Sequence, residues 1–358
     1  MSKETKRKSN PFRTVLICTI VLAVLAAGCI AGSWYLNTNR AELLSNLQAE
    51  VQARNDQKQD EYNRQLADFQ RQHNTKGTND AWPTPSGSGW EVVDLTSYPL
   101  EEPTTVSYTR QDTMYNGMLL VNSWHPRPAD FSEDGLVSVS RATNRAVGVS
   151  SNSVTMFPDA TAALQACIQD AKAQRELQYF VANECYRSLE DQQKLVDQKR
   201  TAIAAGCSDY NAGQSMQITL YHKDDKAIND YSSHIFDSEH GKWLLEEGWK
   251  YGLVFRYPTA DYPVAGTVDK SYITGISTKM QTFRYVGTGN AATMHTLDLC
   301  LEEYIEYLAE HPHIAVFEDG ALRYEIIRQY VGDAESYTIT STAKRSVRNT
   351  VTSLDNMG

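Results

Sequence analysis

The sequence contains few of the side chains that build metal and nucleic-acid sites. It has 8 histidines and 6 cysteines among 358 residues, with neither a CxxC pair nor an HxxxH spacing. No long basic run follows residue 13, and the formal net charge is -10. Because phosphate binding depends on clustered Lys and Arg, this composition argues against a nucleic-acid partner. With 41% hydrophobic residues, the chain can still bury the core of a globular domain.

One long apolar run stands near the N-terminus. Residues 14–36 carry no charge, and a helix of that length can cross a hydrocarbon core of about 30 Å. Lys and Arg cluster within residues 1–13, whereas Trp34 and Tyr35 stand at the far edge of the run. This placement predicts a cytoplasmic basic segment at 1–13, a single transmembrane helix at 14–36 and a domain outside the cytoplasm.

The same run has a second interpretation as a lipoprotein signal. The stretch LAAGC, which ends at Cys29, resembles a lipobox, so processing would anchor the chain through a lipid at Cys29. In either case the following domain is tethered to the cell membrane and faces away from the cytoplasm.

Residues 37–76 form a polar segment with a helical pattern. Apolar residues recur at three- and four-residue steps from Leu44 to Val51 and again later, which predicts an amphipathic helical stalk. Arg54 and Lys58 interrupt the apolar seam, and this favours a solvated helix over a coiled-coil dimer. Self-association through the stalk stays open.

A folded domain is predicted over residues 90–311, after a linker at 77–89 that mixes turn formers without periodicity. Helical and strand patterns alternate within it, which indicates an α+β fold. The predicted helices are Asp159–Lys172, with Leu164, Cys167, Ile168 and Ala171 on one face, Glu239–Lys250 and Leu297–Leu308; the predicted strands are Leu177–Ala182, Met216–His222 and Gly252–Arg256. Residues 312–358 follow as a C-terminal extension with a β-hairpin around Glu318-Asp-Gly320.

Four cysteines fall within the external domain, where disulfides could persist. They allow three pairings, and the sequence does not choose among them. These residues are Cys167, Cys185, Cys207 and Cys300.

Several short stretches, in order, resemble the VanY-type D-alanyl-D-alanine carboxypeptidases, a family of zinc metallopeptidases. They are LVNSWHPRPADF from Leu120 to Phe131, CYRSLEDQ from Cys185 to Gln192, EHGKWL from Glu239 to Leu244, KYGLVFRYP from Lys250 to Pro258, ITG from Ile273 to Gly275 and FRYVG from Phe283 to Gly287. The resemblance implies a carboxypeptidase-like α+β domain with a small antiparallel sheet and flanking helices. It also implies a cell-wall peptide as the ligand.

The resemblance further implies where a zinc ion would be bound. In the family, two ligands come from the pattern SxHxxGxAxD and the third from the His of EPWHFRYVG, whose Glu is the general base. A catalytic zinc site needs three such ligands and an open position for water. The family motifs therefore specify which positions of this chain would carry the three zinc ligands and the general base.

This sequence departs from the family at each of those positions. Lys279 stands at the base position, and a cation cannot accept a proton; Thr282 replaces the third ligand. The first pattern falls near residues 213–224, where two registers stay open. In one register Gln217 replaces the His and the Asp is kept as Asp224; in the other, the two positions become Ser215 and His222. The sequence thus predicts that zinc, the family cofactor, has been lost.

The residues that would hold a peptide are kept. Arg187, Ser188 and Gln192 match the family's YRSxxxQ motif, and a guanidinium suits the carboxylate of a peptidoglycan stem peptide or of another peptide. The structural alternative is that Arg187 pairs with an acid such as Glu190. The favoured hypothesis is a metal-free pseudoenzyme that binds cell-wall peptides. The alternatives are an active carboxypeptidase with an unusual metal site and a scaffolding protein of the cell envelope.

Overall fold

The structure is a computed structural model, and it describes residue 53 and residues 82–100, 103–115, 117–328 and 336–342. The chain divides into two units, Met1–Gln72 and His73–Gly358, and all described residues except Ala53 belong to the second. The predicted basic segment, membrane helix, Cys29 and the stalk except Ala53 lie outside the described residues. Among the helices that the structure does describe, none is both long and apolar enough to span a bilayer.

Short strands and helices alternate along the second unit, which confirms the predicted α+β class. The strands are β1 (Trp90–Asp94), β2 (Pro103–Thr109), β3 (Val137–Ser138), β4 (Gly148–Val149), β5 (Thr155–Met156), β6 (Phe180–Glu184), β7 (Ser215–Leu220), β8 (Leu253–Phe255), β9 (Thr282–Tyr285), β10 (His313–Glu318), β11 (Ala321–Ile327) and β12 (Ser336–Thr342). The helices are α1 (Arg110–Tyr115), α2 (Val139–Ala142), α3 (Pro158–Arg175), α4 (Leu189–Asp197), α5 (Glu239–Glu247), α6 (Ser271–Thr274), α7 (Thr288–Leu297) and α8 (Leu301–Glu310).

The central sheet has five strands in the order β4-β6-β7-β9-β8. All its pairings are antiparallel except that of β4 with β6. β7 and β9 are neighbours, and their register sets Gln217 opposite Thr282 and Ser215 opposite Arg284. This pairing brings together two stretches that lie more than sixty residues apart in the sequence.

Helix α3 covers one face of this sheet. Its first residue is Pro158, whose fixed φ suits the first turn, and it ends at Arg175, before Glu176 in the left-handed conformation. The predicted apolar face of Leu164, Cys167, Ile168 and Ala171 is buried. These side chains share a core with Ile218 and Phe283 of the sheet. Each large apolar side chain buried there contributes about 1.5–3 kcal/mol.

The C-terminal hairpin is part of the domain. β10 and β11 pair as predicted around Asp319 and Gly320, and β10 also pairs with β1 at the start of the domain. Ile314 and Val316 are fully buried in a core with Leu301 of α8. The boundary predicted at residue 311 therefore does not separate two packed units.

The predicted helix Leu297–Leu308 corresponds to α8, which begins four residues later than predicted, after a break that follows α7. α7 ends at Leu297, Asp298 adopts the left-handed conformation, and α8 begins at Leu301. The Cys300 amide donates to the Glu303 carboxylate, which caps the second helix. The sequence pattern missed this break because Leu297 and Leu301 are four residues apart, as they would be on one helical face.

Candidate functional site

Three polar side chains meet where β7 and β9 pair. Thr282 opens β9 opposite Gln217 of β7, and Tyr210 lies in the 3-10 turn Asp209–Ala212 just before β7. The Tyr210 hydroxyl and Thr282 Oγ1 share a hydrogen bond of 2.8 Å. Tyr210 and Thr282 are buried, and Gln217 is half-buried. We call these three residues the Tyr210 cluster.

A second set of side chains orients the Tyr210 cluster. Asn183 Nδ2 of β6 donates to Gln217 Oε1 at 2.7 Å. The Arg187 guanidinium lies 4.9 Å from the centre of the Tyr210 ring, a distance at which a cation and a ring attract each other. The backbones of the same two residues are joined by a hydrogen bond from Arg187 N to Tyr210 O of 3.1 Å. The Tyr210 ring is thus held on one face by Arg187.

The turn that carries Tyr210 is fixed by its neighbours. Ser208 and Asn211 form a reciprocal capping box around it. Gly213 ends the turn at φ +69, and a Cβ there would lie 2.9 Å from the Phe157 ring. Only glycine adopts this positive φ without strain and leaves the Phe157 ring where it is. Gly213 therefore fixes the direction in which the chain enters β7.

Beneath the cluster lies a buried network of ions. Arg284 Nη1 donates to Asp209 Oδ1 at 2.7 Å, and Arg256 binds Glu302 through two hydrogen bonds of 2.7 and 2.9 Å. Arg256 Nε also lies 3.3 Å from Asp209 Oδ2, and the Ser215 hydroxyl donates to that same oxygen. Two carboxylates thus balance two guanidiniums, as buried charges require.

The residues of the Tyr210 cluster match a third register of the family zinc pattern, which the sequence interpretation did not consider. Ser208, Gly213 and Gln217 have the spacing of the Ser, Gly and Asp in SxHxxGxAxD, so Tyr210 stands for the His and Gln217 for the Asp. Ser215 then occupies the Ala position, where it binds Asp209. The Ser208-to-Gly213 spacing was the signal that could have identified this register.

Two of the predicted ligand positions do not reach the cluster. His222 and Asp224 lie beyond the end of β7, at least five residues past Gln217, or on the order of 15 Å along an extended chain. There, His222 Nδ1 accepts a hydrogen bond from the Asp225 amide, and Asp224 is exposed. Of the ligand positions proposed from the sequence, only Gln217 and Thr282 are brought together.

The side chains of the Tyr210 cluster do not fit a zinc ion. Catalytic zinc is bound by imidazole, thiolate or carboxylate, whereas these groups are a phenol, an amide and a hydroxyl. Burial raises the pKa of the Tyr210 phenol, so the hydroxyl stays protonated and bound to Thr282. Within the described ranges, no three or more His, Cys, Asp or Glu side chains are grouped so as to hold a metal ion.

Lys279, at the family base position, makes a contact that differs from that of a general base. Lys279 is exposed, and its Nζ lies 5.5 Å from the centre of the Tyr262 ring. This geometry is that of a surface cation–π contact. An ammonium group there cannot act as the general base of hydrolysis.

The three predicted peptide-binding residues have internal partners. Arg187 Nε donates to Glu184 Oε1 at 2.7 Å, and Arg187 Nη1 donates to Gln192. Gln192 is fully buried and also donates to the Ile203 carbonyl. Arg187 therefore has an acidic partner, as the structural alternative supposed. That partner is Glu184 and not the suggested Glu190, which binds Lys194 instead.

Ser188 has a defined structural role as the N-cap of α4. Its hydroxyl oxygen accepts a hydrogen bond from the Asp191 amide and donates to the Asp191 carboxylate at 2.9 Å. This geometry satisfies an amide that the first helical turn leaves without a partner. Ser188 thereby fixes the direction of α4, which carries Gln192 to Arg187.

The four cysteines of the second unit are free thiols. Cys167, Cys185 and Cys300 are buried, and burial raises the pKa of each thiol. None of the three pairings that the sequence allowed is formed. Cys185 stands where the family motif has glycine, at the end of β6 beside Arg187.

Comparison with known proteins supports the motif order. A D-alanyl-D-alanine carboxypeptidase of Enterococcus faecium is 28% identical over 221 residues, which make up 60% of this chain and 66% of that protein. A D-alanyl-D-alanine carboxypeptidase of Enterococcus faecalis is 27% identical over 233 residues, or 62% of this chain and 76% of that protein. No family model matches the chain.

One solved structure shares the fold over most of its own length. It is the vancomycin-resistance D,D-dipeptidase VanXYg in complex with a D-Ala-D-Ala phosphinate analogue. It is 25% identical, covers 68% of this chain and 92% of its own, and has a TM-score of 0.50. Fold and motifs together define an α+β domain of the peptidase type. The order of the motifs, these relatives and the fold support a VanY-type D-alanyl-D-alanine carboxypeptidase family for this chain.

Proposed function

We propose that this chain is a membrane-anchored protein of the cell envelope that binds cell-wall peptides without hydrolysing them. The observation that carries the proposal is the Tyr210 cluster, in which Tyr210, Gln217 and Thr282 stand at the three family ligand positions. A phenol bound to a hydroxyl leaves no carboxylate or imidazole for an ion. We therefore propose a metal-free pseudoenzyme.

Hydrolysis of an amide by this family's chemistry needs two further elements. The water must be activated by a Lewis acid, and a carboxylate must accept its proton. Lys279 stands at the base position and contacts Tyr262. The ligands of the Lewis acid and the carboxylate base are both replaced, whereas the scaffold motifs keep their order. This pattern is expected of a domain that retains peptide binding and loses catalysis.

The proposed ligand is a peptide that ends in D-alanine. Its support is the family relationship and the D-Ala-D-Ala phosphinate analogue bound by the related D,D-dipeptidase. Arg187 supplies the cation for the terminal carboxylate, since its guanidinium lies beside the Tyr210 cluster and keeps a side-chain exposure of 12%.

Metal content and hydrolysis of the full-length protein test the proposal together. We expect no stoichiometric zinc after purification and no release of D-alanine from a stem peptide ending in D-Ala-D-Ala. Stoichiometric zinc together with D-alanine release would contradict it and would favour an active carboxypeptidase with an unusual metal site.

Two variants that restore the family zinc ligands in part or in full test the proposed loss of zinc binding. Lys279→Glu with Thr282→His restores the base and one ligand only, and we expect no zinc binding because Tyr210 and Gln217 remain. Addition of Tyr210→His and Gln217→Asp completes the three ligands, and we expect zinc binding by that quadruple variant. Zinc binding by the double variant would show that unidentified residues complete a site.

A scaffolding role is the second candidate, and one observation favours it. Arg187 already has Glu184 and Gln192 as partners, and Ser188 caps α4, so the retained motif is explained without a ligand. Calorimetric titration with the stem peptide distinguishes the two functions. Absence of binding at millimolar peptide would support the scaffold and end the peptide-binding proposal.

Anchoring in the membrane is proposed from the uncharged run at 14–36 and the basic residues before it. Protease added outside intact cells or protoplasts should remove the external domain and leave a short N-terminal fragment. Protection of the domain from that protease would contradict the proposed topology. Labelling with a fatty acid, followed by its loss in a Cys29→Ala variant, would identify the lipoprotein alternative.

A further inference from the structure

A second concave site lies on elements other than those of the Tyr210 cluster. It is a pocket of about 390 Å³ between the turn at residues 122–125, helix α6 and helix α8. Its polar and aromatic lining is formed by Asn122, Trp124, His125, Tyr272, Glu302 and Glu306. Apolar side chains that include Ile273 and Ile305 complete it. We call it the Trp124 pocket.

Two exposed aromatic side chains border the Trp124 pocket. Trp124 is 57% exposed and Tyr272 is 71% exposed, although side chains of this size are usually covered. The Trp124 ring lies against Gly275, where a Cβ would come within 3.2 Å of its Cη2 and Cζ3 atoms. Gly275 thus leaves room for the Trp124 ring beside the pocket. The ring is held in place there and presents an aromatic surface.

The turn below Trp124 fixes the hydrogen-bonding state of His125. Asn122 Oδ1 accepts from the amides of Trp124 and His125 and lies 2.9 Å from His125 Nδ1. Because an amide oxygen can only accept, Nδ1 carries the proton. Burial lowers the pKa of His125, which keeps the ring neutral against the opposing effect of Glu302. Nε2 of this pocket-lining ring can therefore only accept a hydrogen bond.

The charges at the pocket have one sign. Glu302 is buried, and Arg256 binds it from inside the domain. Glu306, one turn further along α8, is exposed and adds a second carboxylate. Among the described residues that line the pocket there is no Lys or Arg. Because Glu302 is already bound by Arg256 and Asn122, the lining offers the exposed carboxylate of Glu306, an acceptor nitrogen and aromatic faces.

We propose that the Trp124 pocket binds an organic ammonium cation, a positively charged amine carried on an apolar body. Aromatic faces attract a desolvated cation, and the Glu306 carboxylate with a neutral imidazole nitrogen can accept the hydrogen bonds of its N–H groups. An anionic ligand would meet Glu306 with no cation to balance it. A neutral apolar ligand would leave the acceptor groups without donors.

Calorimetric titration of the full-length protein with n-butylammonium tests this proposal, and 1-butanol is the uncharged control of nearly the same shape. We expect the ammonium ion to bind and the alcohol to bind about two- to fivefold more weakly, which corresponds to the loss of one exposed cation–π contact. Equal binding of the two probes, or no binding of n-butylammonium, would overturn the proposal.

Paired variants locate the binding on the protein. Trp124→Ala, which removes a cation–π contact, and Glu306→Gln, which removes an exposed ion pair, should each weaken n-butylammonium binding by about two- to fivefold. Tyr231→Ala removes another exposed aromatic side chain, and Glu310→Gln removes the next exposed carboxylate of α8, so neither should change the affinity. If the control variants weaken binding as much as the pocket variants do, the cation is attracted by general surface charge and the proposed site is wrong.

The ammonium group can come from a peptide or from a small amine. Lysine blocked at both its amino and carboxyl ends presents the same ammonium with peptide groups attached. Tighter binding of blocked lysine than of n-butylammonium supports the site with a lysine side chain as its source. Equal or weaker binding of blocked lysine supports the site with a free amine as its source.

Discussion

At the scale of single residues, a phenol and a hydroxyl can form a hydrogen bond with each other and need no ion between them. Tyr210 and Thr282 do so across the junction of the turn before β7 with β9. Gln217 binds Asn183 on the neighbouring strand, so each group of the cluster has a protein partner. Polar groups buried in this way stabilise the fold only while their partners remain.

Loss of the Tyr210 hydroxyl should therefore be costly. In Tyr210→Phe, the fully buried Thr282 hydroxyl loses its partner, and we expect the free energy of unfolding to fall by about 1–3 kcal/mol. Denaturant titration measures this change. Tyr272→Phe, at a 71% exposed position, is the matched control and should change stability by less than about 0.5 kcal/mol. Equal stability of Tyr210→Phe and wild type would mean that the hydrogen bond contributes nothing.

Arg187 can be tested for its two roles at once. Arg187→Ala removes the partner of Glu184 and Gln192, and we expect a loss of about 1–2 kcal/mol of stability. If the guanidinium also binds a peptide carboxylate, the affinity for a D-Ala-ending peptide should fall by about 2–3 kcal/mol, and Arg187→Lys should recover only part of it. Melting curves report the first role and calorimetric titration the second. An alanine variant that binds the peptide as wild type does would remove Arg187 from the binding site.

At the scale of elements, α4 positions the Arg187 region through its first turn. Ser188→Ala should destabilise the domain by about 1 kcal/mol, because the Asp191 amide loses its cap. Ser188→Asp keeps an acceptor at that position and should recover most of the loss. Ser277→Ala, at an exposed serine outside any helix, serves as the control in the same thermal melts. Destabilisation by Ser188→Asp as large as that by Ser188→Ala would contradict the capping role.

The sequence correctly predicts helices whose apolar residues repeat at helical spacing. It does not predict the conformation of turns that depend on contacts with residues far away in the chain. The buried face of α3 follows from Leu164, Cys167 and Ala171, which repeat at helical spacing. The turn around Tyr210 has no periodicity, and its conformation depends on Ser208, Asn211 and a close approach of Phe157 to Gly213.

The candidate site was only partly predictable for the same reason. Thr282 follows directly from the position before Phe283 in the family motif. The spacing of Ser208 and Gly213 could have identified Tyr210, but the contact of Tyr210 with Thr282 spans 72 residues and is created by the pairing of β7 with β9. A pattern within one stretch carries no information on that pairing.

At the scale of the whole molecule, the two ends of the domain support each other. β1 and β10 pair over five residues, from Trp90 opposite Glu318 to Asp94 opposite Ile314. The Trp90 ring also stacks near Tyr324 of β11 and meets Trp249 edge to face. The hairpin thus closes a core that begins at the first strand.

A chain that ends at residue 311 should therefore fail to fold, although the sequence alone placed a boundary there. It would lose the buried side chains of Ile314 and Val316, each worth about 1.5–3 kcal/mol, and it would leave β1 without its only hydrogen-bonded neighbour in the described sheet. A chain that ends at residue 342 keeps β10, β11 and β12 and is the matched control. Thermal melts followed by circular dichroism should show a cooperative transition for the longer chain and none for the shorter one. A cooperative transition of equal midpoint in both would mean that the hairpin is an appendage and that the core closes without it.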